Sequence, residues 1–229
     1  MNVRFFSLGA LLSVVLFSAY TTKSIFSSHW LPEQKETQVS LKAPSFDVAQ
    51  CMSDLFEKRY SGRLYDENKP VSKNDLRAIL YAGSLAPSSY NEQPWRFIVC
   101  DKQVNPQAYA KVLSSLVEFN QGWAQHAPVL IVVVAHLKSN HNDKGNHLAQ
   151  YDTGAAAMCM MLKATSLGIM THQMGGFDAV KISDLFEINE DFMPMAVMAV
   201  GYALPADKKA PKKERKPLEE ICFFNDWQE

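Results

Sequence analysis

Apolar residues recur at helical spacing in several stretches of the chain. The segment Val48–Arg59 has one such apolar face, and another follows Ser72, which resembles a helix N-cap with Asp75 three residues later. The stretch Asn105–Gln125 is broadly helical in pattern. Tyr151–Leu167 is apolar nearly all round and is followed by a glycine, so it predicts a buried helix that ends there.

Three shorter apolar runs predict strands. Two of them are Arg96–Cys100 and Met193–Ala203, and the third, Val129–Ala135 (VLIVVVA), is a largely β-branched run suited to a strand buried on both faces. The stretch His136–Gln150 is polar, and we expect it to be irregular. Helices that alternate with a few strands predict an α+β or α/β domain with a small central sheet.

The N-terminus differs in character from the rest of the chain. Phe5–Tyr20 carries no charge and follows Arg4, which is the layout of a signal peptide or a short membrane anchor. We expect this segment within residues 1–22, a polar linker over 23–45 and the folded domain over 46–229. Export or membrane anchoring is therefore favoured over a cytoplasmic location, and the alternative is a packing helix of a soluble protein.

Composition and charge narrow the classes of function. The 229 residues are 47% hydrophobic and 21% charged, as in globular proteins, and a net charge of −1 argues against a dedicated nucleic-acid binder. The four cysteines form no CxxC pair, so we expect no metal site. Cys100 and Cys159 lie in apolar runs and are expected to be buried thiols. If the domain is exported, Cys51 or Cys222 could form a disulfide.

Two polar clusters lie in the first half of the domain. In Arg59–Arg63 (RYSGR), an extended chain would project two guanidinium groups and a hydroxyl to one side, and these suit a phosphate or a polarised ring carbonyl. The alternative is a solvated basic turn. Ala86–Trp95 (APSSYNEQPW) has two prolines and a strand directly after it, which predicts a rigid loop rich in hydrogen-bond donors. Its alternative is an ordinary polar loop.

Two further clusters lie in the second half. Thr171–Asp178 contains the pair Gly175–Gly176, which lets a backbone lie against a planar ligand and offer it N–H donors. Such a pair can also be an ordinary connection. Lys208–Pro217 (KKAPKKERKP) is strongly basic, and its alternatives are a solvated tail or a weak binder of anionic surfaces.

In this order and at these separations, the four clusters resemble the FMN-dependent nitroreductase family. The resemblance runs from about Phe56 to Leu218, and its most specific parts are APSSYNEQPWRFIV and YDTGAAAMCMMLKATSLGIMTHQMGGF. It implies a nitroreductase-like α+β fold in which helices flank a small, mostly antiparallel central sheet. It also implies an obligate homodimer with two FMN sites at the interface, each built from both subunits.

The resemblance assigns the phosphate and one edge of the flavin ring to residues of one subunit. Arg63 matches a position that faces flavin N1 and O2, where a fixed cation stabilises the negative charge of the reduced ring. The positions implied to hold the phosphate end are Arg59, Tyr60, Ser61, Lys213 and Arg215.

A loop of the partner subunit supplies another part of the implied site. Pro87, Ser88, Ser89 and Asn91 match the positions of that loop. Asn120, in the stretch FNQGW, matches an asparagine that bonds the pyrimidine edge of the flavin.

The glycine pair completes the implied site. Met174, Gly175 and Gly176 match a segment whose backbone N–H groups face flavin N5 and O4. This sequence has Gly175 where some relatives have glutamate, and Trp123 where some have lysine. The excursion after the strand Val129–Ala135 is also only about fifteen residues long. We therefore expect a substrate pocket that is more open, or covered by other elements.

The activity implied by the resemblance is that of an NAD(P)H-dependent FMN oxidoreductase. Hydride passes from NADH or NADPH to flavin N5 and then to a small nitroaromatic, quinone or related acceptor, with ping-pong kinetics. No catalytic side chain is required because the flavin carries the chemistry, so His172 is expected to be a structural, hydrogen-bonded histidine. The alternatives are a specialised dehydrogenase or dehalogenase-like enzyme, and a flavin-binding protein without turnover.

Overall fold

The computed structural model describes residues 54–142, 144–207, 213–225 and 227. They belong to a unit that spans Ser45–Glu229. The expected signal peptide or anchor, the linker and most of the helix expected over Val48–Arg59 lie outside the described residues and stay predictions; residues 54–58 are helical. Within the described ranges, no helix is long and apolar enough to cross a membrane.

Four antiparallel strands form the centre of the domain in the spatial order β1-β2-β4-β3. Their bounds are Trp95–Asp101 for β1, Val129–His136 for β2, Met170–Met174 for β3 and Phe192–Gly201 for β4. The expectation of an α+β domain with a small antiparallel sheet flanked by helices is confirmed, and so are three of the four strands.

Strand β3 was not predicted from the sequence, although it contains the start of the cluster Thr171–Asp178. Its first residues continue an edge strand that pairs with β4 from Met170 opposite Gly201 to Met174 opposite Val197. The strand is short, and its central residues His172 and Gln173 are polar and half-buried, so no apolar alternation marked it. Only the hydrogen bonds to β4, a distant part of the chain, define it as a strand.

Five α-helices have fully described bounds: α1 (Lys73–Ser84), α2 (Pro106–Ser115), α3 (Glu118–Ala124), α4 (Ala149–Ser166) and α5 (Ala179–Phe186). The expected cap of α1 is present, because the Ser72 hydroxyl oxygen accepts the Asp75 N–H at 3.0 Å and the hydroxyl donates to the Asp75 carboxylate at 2.7 Å. Beyond α4, Gly168 has a φ of +70°, which favours glycine and ends the helix as predicted.

The stretch Asn105–Gln125 contains two helices and not one. Val117, between α2 and α3, is extended, with φ −61° and ψ 149°. Its N–H donates to the carbonyl of Gly176 at 3.0 Å, and Leu116 forms a β-bridge with Phe177. The break therefore comes from pairing with a remote segment, which local helix pattern cannot indicate. The polar excursion after β2 likewise contains one small bridge, Lys138 with Gly145.

The side chains of β2 divide the core into two clusters. Leu130, Val132 and Val134 face one side and pack with residues of α2, α3 and α5, whereas the alternate residues Val129 and Ile131 face the other side and pack with α1 and α4. This two-sided burial explains why the β2 sequence is a continuous apolar run. Cys100 is buried as expected, and Cys159 is only half-buried.

We predict that Ile131→Ala lowers the free energy of unfolding by about 2–5 kcal/mol, because the fully buried side chain would leave a cavity between the sheet and α4. Val180→Ala, on the exposed face of α5, is the control and should change it by less than about 0.5 kcal/mol. Denaturant unfolding measures both. Equal effects of the two substitutions would contradict the assignment of this core.

Candidate functional site

The segment Gly62–Leu64, at the end of the first basic cluster, forms a turn that is fixed against strand β3. The carbonyl of Gly62 accepts a hydrogen bond from Nδ1 of His172 at 2.9 Å. The N–H groups of Arg63 and Leu64 both donate to Oδ1 of Asp207, each at 3.1 Å. The backbone of the turn is therefore held from two directions, while the Arg63 side chain stays exposed.

Glycine is required at position 62 by the closeness of this packing. A Cβ there would lie 1.7 Å from Oδ2 of Asp207 and 2.3 Å from Sδ of Met170. The buried carboxylate has backbone bonds that fix it, so it cannot withdraw without breaking them. Gly62 therefore allows the turn to approach both β3 and Asp207.

The surroundings of the turn lower the pKa of His172 and raise that of Tyr60. Burial lowers the pKa of His172; its hydrogen bond to Gly62 opposes this, and Arg63 and Lys213 lower the pKa further. A lowered pKa favours the neutral imidazole near pH 7, which still donates from Nδ1 to the carbonyl of Gly62. Burial and then the charge of Asp207 raise the pKa of Tyr60 to about 12.

Helix α3 joins this turn to the glycine pair. The guanidinium of Arg63 lies 4.9 Å from the centre of the Phe119 ring, a cation–π contact. The next residue, Asn120, donates from Nδ2 to the carbonyl of Gly176 at 3.1 Å. The structure thus brings together three of the predicted site elements: Arg63, Asn120 and the segment Gly175–Gly176.

The two glycines of the pair have different surroundings. A Cβ at Gly176 would lie 2.9 Å from Nδ2 of Asn120 and 3.0 Å from Cγ2 of Val117, whereas a Cβ at Gly175 would meet nothing within 4 Å. Position 175 therefore has room for a side chain such as the glutamate of some relatives. Met174 is buried at the end of β3 and leads the chain into this pair.

Trp123 lies behind the turn. Its ring is tilted against that of His172, with centroids 4.5 Å apart, and is stacked with that of Tyr65 at 6.2 Å. The side chain is buried, and its indole Nε1 has no hydrogen-bond partner among the described residues. A tryptophan in place of lysine thus removes a cation from this part of the site and adds a buried donor.

Within the loop Ala86–Trp95, three residues have a positive φ: Tyr90, Asn91 and Gln93. The Ser88 hydroxyl oxygen accepts the Gln93 N–H at 3.0 Å. The Ser89 N–H donates to Oδ2 of Asp152, a buried residue in the first turn of α4, also at 3.0 Å. Pro87 and Asn91 are exposed.

The carboxylate of Glu92 ties this loop to the short polar excursion after β2. It accepts hydrogen bonds from the Ser139 hydroxyl and from the N–H groups of Asn140 and His141 at 2.8 and 2.9 Å. These bonds, led by the one from Ser139, lower the pKa of Glu92 to about 2. The rings of Tyr90 and His141 stack at 4.4 Å. The excursion is therefore a folded neighbour of the loop.

Within one chain, the loop and the basic turn lie at opposite edges of the sheet. The turn contacts His172 of β3, and His172 is in register with Ala199, Leu130 and Cys100 across the sheet. The loop ends at Trp95, five residues along β1 from Cys100. Three strand spacings and five residues put the two roughly 20 Å apart. The loop residues do not reach the turn of their own chain.

The other predicted residues make few contacts. Arg59 is half-buried, and Ser61 is exposed. The Arg215 guanidinium contacts only the carbonyls of Lys213 and Glu214, at 3.5 and 3.2 Å, among the described residues. The structure therefore brings Lys213 within electrostatic range of His172 but gives no such link for Arg215.

Three acidic residues that hold the site together were not among the predicted site residues: Asp207, Asp152 and Glu92. Asp152 is an acid at the start of an otherwise apolar helix, and this contrast could have indicated a role. Glu92 lies inside the loop Ala86–Trp95, one of the four clusters that carry the family resemblance. Asp207 directly precedes a lysine run and reads as one more charge of an exposed segment, so no local signal marked its burial.

We predict that Gly62→Ala destabilises the domain by about 2 kcal/mol or more, because the added methyl group overlaps Asp207 and Met170. Gly122→Ala is the matched control, since its Cβ meets nothing within 4 Å and alanine favours helix α3. Thermal unfolding of both variants checks this. Wild-type stability in Gly62→Ala would contradict the close packing described above.

Comparison with known proteins gives one family. Residues 56–202 match the model of the nitroreductase family. YodC of Bacillus subtilis (strain 168), provisionally named an NAD(P)H nitroreductase, is 25% identical over 204 residues, which cover 75% of this chain and 97% of that protein. The oxygen-insensitive NADPH nitroreductase of Helicobacter acinonychis (strain Sheeba) is 26% identical over 202 residues, covering 71% of this chain and 91% of that protein.

Solved structures agree with this result. An oxidoreductase containing FMN superposes with a TM-score of 0.69 at 32% identity, over 76% of this chain and 91% of that one. A nitroreductase family protein from Clostridium difficile 630 gives a TM-score of 0.62 at 27% identity, over 76% of this chain and 98% of that one. Since the family model spans more than half of the sequence and both folds match, this chain belongs to the nitroreductase family.

Proposed function

We propose that this chain is an FMN-dependent oxidoreductase that takes hydride from NADH or NADPH and gives it to a nitroaromatic, quinone or related acceptor in a ping-pong reaction. The observation that carries the proposal is the joining of Arg63, Asn120 and Gly176 through helix α3. A cation, an amide and a backbone segment that follows an open glycine can supply the charge and the hydrogen bonds by which a protein tunes a bound flavin.

The described residues fit a flavin in shape and in hydrogen-bonding capacity. Gly62 and Gly176 are closely packed, whereas the Cβ position of Gly175 is open, which leaves its backbone accessible to a planar ring. Trp123 Nε1 is buried and has no hydrogen-bond partner among the described residues. Such a donor is rare in a well-packed core, so its presence here supports a ligand site.

FMN, when bound, supplies the hydride transfer that no side chain of this chain can perform. Arg63 holds a positive charge at the site, and its contact with Phe119 limits the directions in which the guanidinium can point. A cation fixed in this way favours the negative charge that arises on the reduced cofactor. Lys213, Arg59 and Arg215 are the cations that we assign to the phosphate.

We further propose that each site is completed by a second copy of the chain. The loop Pro87–Asn91 lies too far from the turn at Gly62 to serve the same site within one chain. Large apolar side chains are also exposed in the single chain, among them Tyr151 of α4 at 78% and Phe224 near the C-terminus at 88%. An exposed apolar surface of this kind is typical of a protein that associates.

The first experiment is a visible absorbance spectrum of the purified full-length protein, before and after NADH or NADPH is added without oxygen. We expect a flavin band, present on purification or gained with added FMN, that bleaches with at least one of the two donors and returns with a quinone or nitroaromatic acceptor. A protein that never gains the band contradicts the proposal. Bound FMN that neither donor bleaches indicates the flavin-binding alternative, and a screen of acceptors separates the dehydrogenase and dehalogenase-like alternatives.

The second experiment tests the shared site with two defective chains. One carries Arg63→Gln, and the other carries Ser88→Ala with Asn91→Ala. If the sites are shared, a dimer with one chain of each kind has both defects in one site and none in the other. Random mixing makes about half of the dimers mixed, so about a quarter of all sites are intact. The control mixes Arg63→Gln with Lys213→Gln, which affect the same side and should restore none. Absence of recovery in the first mixture would refute the shared site.

A further inference from the structure

We infer that Asp207 is a positioning residue of the proposed flavin site, which acts by holding the backbone of Arg63. The inference rests on the proposed function and adds a residue to it. Asp207 does not belong to any of the polar clusters of the sequence, and it touches the site through main-chain atoms only.

The contact between Asp207 and the turn is long-range and buried. Asp207 is 7% exposed and lies 144 residues along the chain from Arg63. One oxygen, Oδ1, accepts the N–H groups of two consecutive residues, Arg63 and Leu64, each at 3.1 Å. Bonds from two successive N–H groups to one carboxylate fix the orientation of the peptide between them, and charge makes them stronger than neutral bonds.

The opposite side of the turn is fixed at the same time. His172 Nδ1 donates to the carbonyl of Gly62, the residue directly before Arg63. With the carbonyl of residue 62 and the N–H of residue 63 both held, the peptide that carries Arg63 has little freedom. The side chain leaves this anchored peptide towards Phe119. Asp207 therefore fixes the part of the backbone from which the Arg63 side chain extends, although it does not contact the guanidinium group.

The carboxylate of Asp207 also acts on a second residue of the first basic cluster. Its charge helps to raise the pKa of Tyr60, so the carboxylate lies close to the Tyr60 hydroxyl. One buried acid therefore acts on both Arg63 and Tyr60, which the resemblance assigns to the flavin site.

Asp207 is also close in sequence to a second cation that we assign to the site. Lys213 is only six residues later, a reach of at most about 20 Å, and its charge helps to lower the pKa of His172, which lies beside the same turn. The residue that holds Arg63 therefore also limits how far Lys213 can lie from the turn.

The test compares Asp207→Ala with Asp101→Ala in the full-length protein. Asp101 is a matched control because one of its oxygens also accepts two backbone N–H groups, those of Gln103 and Val104, but on β1, at the opposite edge of the sheet from β3. FMN affinity is measured by quenching of flavin fluorescence, and thermal unfolding without FMN reports stability. We expect Asp207→Ala to weaken FMN binding about tenfold or more and Asp101→Ala to change it less than about twofold.

Two further variants separate positioning from general stability. Asp207→Asn keeps an oxygen that can accept both N–H groups, and we expect it to recover FMN affinity to within about fivefold of the unaltered protein. In a double-mutant cycle with Arg63→Gln, the effect of Asp207→Ala should be largely lost, because the Arg63 charge that Asp207 positions has already been removed. Should Asp207→Ala fail to fold, Asp207→Ser, which cannot reach both N–H groups, takes its place.

The possible results are distinct. Absence of FMN binding in the unaltered protein overturns the proposed function and, with it, this inference. FMN binding by the unaltered protein with equal affinity in Asp207→Ala overturns the inference alone. Fully additive effects of the Asp207 and Arg63 variants, or an Asp207→Asn variant as weak as Asp207→Ala, overturn it as well. A loss confined to Asp207→Ala and abolished by Arg63→Gln supports it.

Discussion

The antiparallel pairing of β2 with β4 is the constraint on which the rest of this structure depends. Strand β2 and the second half of β4 are buried on both faces at the centre of the sheet, so a slip of one residue would turn their core side chains to the wrong cluster. Their register then fixes the two edges: β1, which begins after the loop Ala86–Trp95, and β3, which carries His172. The positions of both halves of the proposed site therefore follow from the backbone hydrogen bonds between the strands.

One buried donor without a partner lies at the proposed site. Trp123 Nε1 makes no hydrogen bond among the described residues, and the ring of Trp123 packs against that of His172. Other buried polar atoms without such a bond, on Asn146 and Thr153, lie elsewhere in the chain. Structures tolerate an unsatisfied group where a ligand or function uses it, so the Trp123 donor supports the site independently of family resemblance.

The elements that the sequence predicted correctly are those that depend on interactions between residues close together in the chain. The cap at Ser72, the buried run of β2 and the end of α4 before Gly168 each depend on residues close in sequence, and each is present. Strand β3 and the break between α2 and α3 were not predicted, because both arise from pairing with distant segments. The same distinction holds at the site: the resemblance found Arg63 and Gly176, but the residues that hold them, such as Asp207, are defined by contacts made across the fold.

The separation of the two halves of the site has a consequence for how binding and assembly depend on each other. If the loop of one chain and the turn of another meet at the same FMN, each FMN contacts both chains, and any ligand that prefers the assembled form stabilises that form by mass action. Cofactor loss and subunit dissociation then promote one another. The rigidity of the loop fits this arrangement, because Asp152 and the folded excursion bonded to Glu92 hold it in shape before any partner arrives. A preformed loop loses less conformational entropy on association, so the assembled site gains stability from contacts that each chain makes alone.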